Sequence, residues 1–204
     1  MAKSKIKRKI IAIVQARCNS LRFPNKVLRK FNGKPAIEIL YQRLNLSKKI
    51  DDIIIATSKN SSNKKLVNFC SEKKIPFFLG SENNVLKRYY DANKKFKADI
   101  IIRITGDSIL IDYKLVDKVI DLFIKNRVDY ASNSQPVSYP DGLDIEIFSK
   151  KCLRDTYRIA KNKYDKEHVT PLMRSLDKFK RINLKNDKDY SFLRWTLDQK
   201  EDLK

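Results

Sequence analysis

The sequence predicts an α/β fold in which a mainly parallel sheet is flanked by helices. Short apolar runs such as IIAIV at 10–14 and III at 100–102 lack polar alternation, as strands covered on both faces require. Between these runs lie stretches of roughly ten to fourteen residues whose apolar positions recur at helical spacing. That alternation is the pattern of βαβ units. The first run also empties directly into a loop rich in arginine and lysine. Ligands of open α/β sheets gather at such strand ends.

In chain order, strands are expected at 9–15, 52–57, 76–79, 100–104, 130–132, 144–148 and 180–184. Helices are expected at 36–46, 63–73, 85–97, 113–125 and 150–160, with a last one running through 168–176. Within 113–125, Val116, Val119, Ile120 and Phe123 fall on one helical face and would pack on the sheet. No repeat, low-complexity tract or linker interrupts the pattern, so residues 1–204 read as one domain. A chain of that size buries roughly 70% of its unfolded surface. Residues 1–8 form a basic, flexible N-terminus, and a final helix is only beginning where the chain stops at Lys204.

Composition narrows the classes. Apolar residues make up 42% and charged residues 34%, as in a soluble globular protein, and no apolar run approaches the ~20 residues of a membrane span. The basic N-terminus leads into a run too short for a signal-peptide core, which implies a cytoplasmic protein. Cys18, Cys70 and Cys152 are odd in number and widely spaced, against a disulfide framework or a zinc site. The net charge of +21 favours anionic partners, but the lysines are spread along the chain without interleaved aromatics, so nucleic acid is a secondary expectation. Only four glycines occur where average usage would give about 14. Each is expected to serve a positive φ or a close approach, with Gly106 and Gly142 beside acidic residues the most informative.

Several clusters could carry chemistry. Arg17, Arg22 and Lys26 place three cations within ten residues after the first strand and suit a polyanion such as a nucleoside triphosphate. The loop has neither a Walker A nor a dinucleotide glycine pattern, and a solvated basic loop is an equal reading. Asp107, just past the strand at 100–104, suits Mg2+ or else a helix cap, although Asp112 is better placed to cap. Asp144 and Glu146 alternate with apolar residues and would project from one strand face, toward substrate hydroxyls or simply toward solvent. Glu167 and His168 lie near a helix start. The strand-like LRWTLD at 193–198 ends on Asp198, a second metal carboxylate or a cap. Arg88 could meet an anionic substrate or lie on a solvated helix face.

Taken in order, these segments resemble the cytidylyltransferases that activate acidic sugars, most closely the spore coat polysaccharide biosynthesis protein F branch. The likeness runs through QARCNSLRFPNK at 15–26, NGKP at 32–35, IIAT at 54–57, GSE at 80–82 with VLKRY at 85–89, RITGD at 103–107, LID at 110–112, YPDGLD at 139–144, EHVTP at 167–171, TLD at 196–198 and EDL at 201–203. Synthetases of CMP-ketodeoxyoctonate and CMP-sialic acid are more distant members of the same group. The resemblance implies a Rossmann-like nucleotidyltransferase fold of the nucleotide-diphospho-sugar transferase type. It implies CTP as co-substrate and Mg2+ as cofactor, with CMP passing to an acidic sugar or a phosphorylated acceptor and pyrophosphate leaving. It also implies a homodimer and a role in surface polysaccharide synthesis.

Carried over by position, Arg17 and Lys26 would be the catalytic cations, and Gln15, Ala16, Arg17, Ser20, Arg22, Lys26, Thr105, Gly106 and Asp107 would bind the nucleotide. Asp107 and Asp198 would hold the metal. Arg88, Asp141, Gly142, Asp144, Glu146, Glu167 and His168 would line the acceptor side. Departures from the motif are Asn25 where glycine is usual, Thr105 where ketodeoxyoctonate synthetases carry glutamine, Ile109 for proline, and Gln199-Lys200 for Thr-Pro. Asparagine tolerates left-handed backbone better than most residues, so Asn25 is a mild change. The competing readings are a basic nucleic-acid-binding domain without catalysis and a nucleotide-binding relative without turnover.

Overall fold

The computed structural model describes residues 7–203. Its elements are β1 (Ile10–Gln15), β2 (Lys30–Phe31), β3 (Lys34–Pro35), α1 (Ala36–Leu44), β4 (Asp52–Ser58), α2 (Lys64–Glu72), β5 (Phe77–Gly80) and α3 (Val85–Phe96). There follow β6 (Ile100–Thr105), α4 (Tyr113–Asn126), β7 (Tyr130–Ser132), β8 (Glu146–Ser149), α5 (Lys150–Ile159), α6 (Lys163–His168), α7 (Pro171–Ser175) and β9 (Arg181–Asn183). Seven strands form one sheet in the order β5-β4-β1-β6-β8-β7-β9. All neighbours are parallel except β8, which runs antiparallel to both β6 and β7.

The uninterrupted apolar character of β1 follows from its place in the middle of three layers. Ala12 and Val14 pack on one face with Ile37, Leu40 and Leu44 of α1, Leu66 of α2, and Val116, Val119, Ile120 and Phe123 of α4. Ile11 and Ile13 pack on the other with Leu86, Tyr89 and Ala92 of α3, Leu153 of α5 and Met173 of α7. Local chemistry sets the helix starts. Asp112 accepts the Lys114 N–H at 2.8 Å and caps α4, Asn84 accepts from Lys87 at 2.8 Å and caps α3, and Ser149 caps α5. The α4 cap therefore belongs to Asp112, which leaves the Asp107 carboxylate for other partners.

Three expectations need correction, and one element was not expected. The helix expected through 168–176 is two short helices, because Val169 sits at φ 69° and ψ −52° and the Thr170 N–H reaches back to the His168 carbonyl at 2.8 Å. That is a tight γ-turn, and Pro171 then opens α7. The strand expected at 144–148 begins only at Glu146, so Asp144 and Glu146 do not share a strand face. The segment 193–198 forms a single bridge, Asp141 to Arg194, rather than a strand. The hairpin of β2 and β3 was not expected, although its Asn32-Gly33 turn (φ 48° and 80°) carries a known hairpin signal.

Other expectations stand. The three cysteines are buried and free. Among the described residues no helix is long and apolar enough to cross a membrane. A short 3-10 turn spans Lys200–Leu203 where a last helix was expected to begin, and Lys204 lies outside the described residues. Most of the expected flexible N-terminus, residues 1–6, lies outside the described residues.

Ile102 pairs with Ala12 on one side and Ile147 on the other and is fully buried. Ile102→Ala is expected to lower unfolding stability by about 2–5 kcal/mol, read as a fall in the urea midpoint with little change in slope.

Candidate active site

The loop after β1 is held from several sides. The Ala16 N–H donates to the Ala56 carbonyl at 3.1 Å, and the Cys18 N–H donates to the buried Asn63 side chain at 2.8 Å. Asn19 donates to one oxygen of Glu82 at 2.6 Å, while Asn60 donates to the other at 2.8 Å. Asn25 adopts φ 58°, the left-handed conformation expected of it, and its N–H returns to the Cys18 carbonyl at 2.8 Å. The chain then enters a 3-10 turn, Lys26–Leu28, that buries Lys26. Gly106 lets the end of β6 close against this loop. A Cβ there would lie 3.1 Å from both the Ala16 Cβ and the Gln15 carbonyl oxygen.

This closure gathers opposite charges from three distant parts of the chain. The Lys26 ammonium donates to Asp107 at 2.7 Å and to Asp198 at 2.8 Å. Arg22 meets the other oxygen of Asp198 at 2.7 Å. Burial alone would raise the Asp107 carboxyl, but the Lys26 ammonium outweighs it and holds Asp107 below the usual carboxylate range. Asp107 is therefore ionised at neutral pH. Two hard carboxylates that share one cationic point suit a divalent cation bound with substrate phosphates. Among the described residues no group of three or more potential metal ligands occurs, so Asp107 and Asp198 would need the substrate to complete a coordination shell. They fit such an ion.

The cleft above them has a volume of about 280 Å³. Its lining includes every nucleotide-side residue named from the sequence: Gln15, Ala16, Arg17, Ser20, Arg22, Lys26, Thr105, Gly106 and Asp107. Asp198 and, of the acceptor-side set, Arg88, Glu167 and His168 also line it. Asp141, Gly142, Asp144 and Glu146 do not. Glu146 is turned inward to a buried ion pair with Arg103 and accepts the Tyr130 hydroxyl at 2.6 Å. Burial would raise its carboxyl, yet Arg103 and Tyr130 together hold it below the ordinary range. Asp144 is half-buried, and burial raises its carboxyl. Asp141 pairs with Arg194 at 2.7 Å. Gly142, at φ 101°, lies against the chain at Trp195 and Thr196, where a Cβ would approach backbone atoms to 2.6 Å.

Three lining residues were not named from the sequence: Val27, Val85 and Arg103. Arg103 had a visible signal, as the only charge inside the apolar strand IIIRIT. Its Nε donates to the Gln15 side-chain oxygen at 3.1 Å, so the Arg103–Glu146 pair orients a residue at the cleft floor. Arg88 is the contrasting case. It is buried, and its guanidinium donates only to the carbonyls of Ser81 at 2.8 Å and Glu82 at 3.2 Å. Among the described residues no carboxylate forms an ion pair with it, and burial lowers its pKa although the Glu82 charge nearby opposes that shift.

Residues 11–194 match the family described as cytidylyltransferase. The chain belongs to the cytidylyltransferase family. It is similar to an uncharacterized protein of Methanocaldococcus jannaschii, 43% identical over 163 residues that cover 80% of this chain and 66% of the relative. It is also similar to the spore coat polysaccharide biosynthesis protein SpsF of Bacillus subtilis, at 32% identity over 95% of this chain and 82% of that one. An 8-amino-3,8-dideoxy-manno-octulosonate cytidylyltransferase of Shewanella frigidimarina matches at 28% identity, over 78% of this chain and 62% of that protein. The chain thus spans just under two thirds of two of these relatives. The structure of a cytidylyltransferase from Leptospira borgpetersenii superposes with a TM-score of 0.92 at 32% identity, over 97% of this chain and 84% of that one.

Removing the Glu146 charge would strand a buried guanidinium. Glu146→Gln is expected to destabilise the fold by about 3–5 kcal/mol in chemical denaturation. A loss confined to acceptor binding, with stability intact, would instead place Glu146 on the acceptor side.

Proposed function

We propose that this chain is a CTP-dependent cytidylyltransferase that passes CMP to an acidic sugar or a phosphorylated acceptor, releasing pyrophosphate, in surface polysaccharide synthesis. The observation that carries this reading is the Lys26 ammonium shared by Asp107 and Asp198 beneath a cleft rimmed by Arg17 and Arg22. Isolated cations after a strand would suit any anion. Cations interlocked with two carboxylates suit a polyphosphate that arrives with a divalent metal. The acidic-sugar acceptor of the Shewanella relative and the polysaccharide role of the Bacillus relative support the substrate class.

In this reading Arg17, Arg22 and Lys26 hold the triphosphate. Lys26 would turn from the carboxylates to the phosphate oxygens, and Asp107 and Asp198 would hold Mg2+, which would offset phosphate charge. Gln15, Ala16, Ser20, Thr105 and Gly106 line the nucleotide. An acceptor oxygen attacks the α-phosphorus, the bond to the β-phosphate oxygen breaks, and pyrophosphate leaves against Lys26 and Arg17. Catalysis comes from positioning and charge stabilisation, with no protein nucleophile. A sugar hydroxyl would give its proton to Glu167 or His168, which also line the cleft, whereas a phosphate acceptor has none to lose. The same reading includes cytoplasmic action and a homodimer.

Arg88 gives the acceptor wall its chemistry. A buried cation without a protein anion is costly, and a ligand carboxylate or phosphate would remove that cost. Arg103, already neutralised by Glu146, has no such vacancy.

Calorimetric titration of CTP against ATP, GTP and UTP, with and without Mg2+, tests the nucleotide half. Saturable binding that prefers CTP and weakens about 10- to 100-fold in Lys26→Ala is expected. Equal binding of all four nucleotides, lost at moderate salt, would sink the reading and leave a basic nucleic-acid surface to explain. Pyrophosphate release with sugar acids and sugar phosphates tests the acceptor half. Arg88→Met is expected to raise the acceptor KM about 10-fold or more while CTP affinity changes less than about twofold.

A further inference from the structure

We infer that Asp202, locked by Arg194 to Asp141, is the positioning residue for Asp198, and so sets the geometry of the carboxylate pair at the cleft. The inference rests on the metal reading of Asp198 given above. Asp198 lies on a segment outside the sheet, held by a few discrete bonds. The Leu197 N–H donates to the Asp107 carbonyl at 2.9 Å, which ties the two acidic loops by backbone. Beyond Leu197, the Asp202 carboxylate turns back and accepts the N–H of Asp198 at 2.6 Å and of Gln199 at 2.8 Å.

Asp202 is itself clamped. Arg194 donates to both of its oxygens, at 2.7 and 3.0 Å, in a two-pronged pairing. The remaining arm of the same guanidinium reaches Asp141 at 2.7 Å. The backbone of Asp141 grips the segment as well. Its N–H donates to the Leu193 carbonyl at 3.0 Å, and its carbonyl accepts the Trp195 N–H at 2.7 Å. Gly142 makes this contact possible, because any side chain there would collide with Trp195 and Thr196. The 141–142 turn therefore acts through Asp198 rather than on the acceptor.

The clamp also manages charge. Arg194 pairs with both Asp141 and Asp202, so neither is left as an unpaired competitor for a cation. Outer partners that orient metal ligands commonly contribute 10- to 100-fold in metal affinity. Asp202→Ala removes both N–H acceptor bonds and the Arg194 pairing. Asp202→Asn keeps a carbonyl oxygen for the N–H pair and loses the charge.

The test is Mn2+ binding in the presence of CTP, followed by electron paramagnetic resonance, with hydrogen exchange of segment 193–203 measured in parallel. Asp202→Ala is expected to weaken Mn2+ about 10- to 100-fold and to speed exchange at Asp198 and Gln199. Asp202→Asn should recover much of both, and CTP affinity without metal should stay within about twofold. Unchanged Mn2+ affinity in Asp202→Ala would overturn the positioning role. So would a parallel loss of metal-free CTP binding, since that reports general damage. A wild-type chain that binds CTP but gives no Mn2+ response would sink the metal reading of Asp198 and this role with it. The wild-type arm alone identifies that outcome.

Discussion

The contact on which the rest of the site depends is the Lys26 ammonium between Asp107 and Asp198. Its partners lie 81 and 172 positions away in sequence, so it forms only when three distant segments come together. Burying an ammonium is costly unless carboxylates surround it, and burying two carboxylates is costly unless a cation joins them. The three groups therefore hold one another, and each limits where the others can move. The loop after β1, the turn after β6 and the tail beyond Trp195 all converge at that point.

The supporting structure has one recurring theme: loops are fixed by side chains that bind backbone. Asn63 holds the Cys18 N–H, Asp51 holds the Ile10 N–H, and Asp202 holds the N–H groups of Asp198 and Gln199. Such bonds matter most where no strand ladder is available. They explain how a loop with neither a Walker nor a dinucleotide glycine pattern stays ordered. Glycine serves the site at two points where backbones come close, Gly106 against Gln15 and Gly142 against Trp195 and Thr196.

Charge accounting separates the two buried arginines that strand and helix deliver to the cleft. Arg103 carries its own anion in Glu146 and serves the fold, while passing order to Gln15. Arg88 is held by carbonyl oxygens alone. Residue type and motif position do not reveal this difference. Only the presence or absence of a facing carboxylate does. The same accounting moves Asp141 away from the acceptor, because Arg194 already occupies it.

The sequence by itself determined the layers, the mainly parallel character of the sheet and the basic loop after the first strand. Burial on both faces demands runs such as Ile10 to Val14, and helical spacing demands a pattern like that of Val116, Val119, Ile120 and Phe123. These are local consequences of side-chain periodicity, so they are legible one segment at a time. Tertiary structure alone decided the direction in which individual acids face. Glu146 turned inward, Asp141 was taken up by Arg194, and the short tail was docked by isolated bonds rather than a strand. Those outcomes depend on partners tens of residues away, and alternation along a strand carries no record of which distant cation will arrive. The break at Val169 is likewise a tertiary result, since its turn is stabilised by complete burial of the side chain and not by any local preference for positive φ.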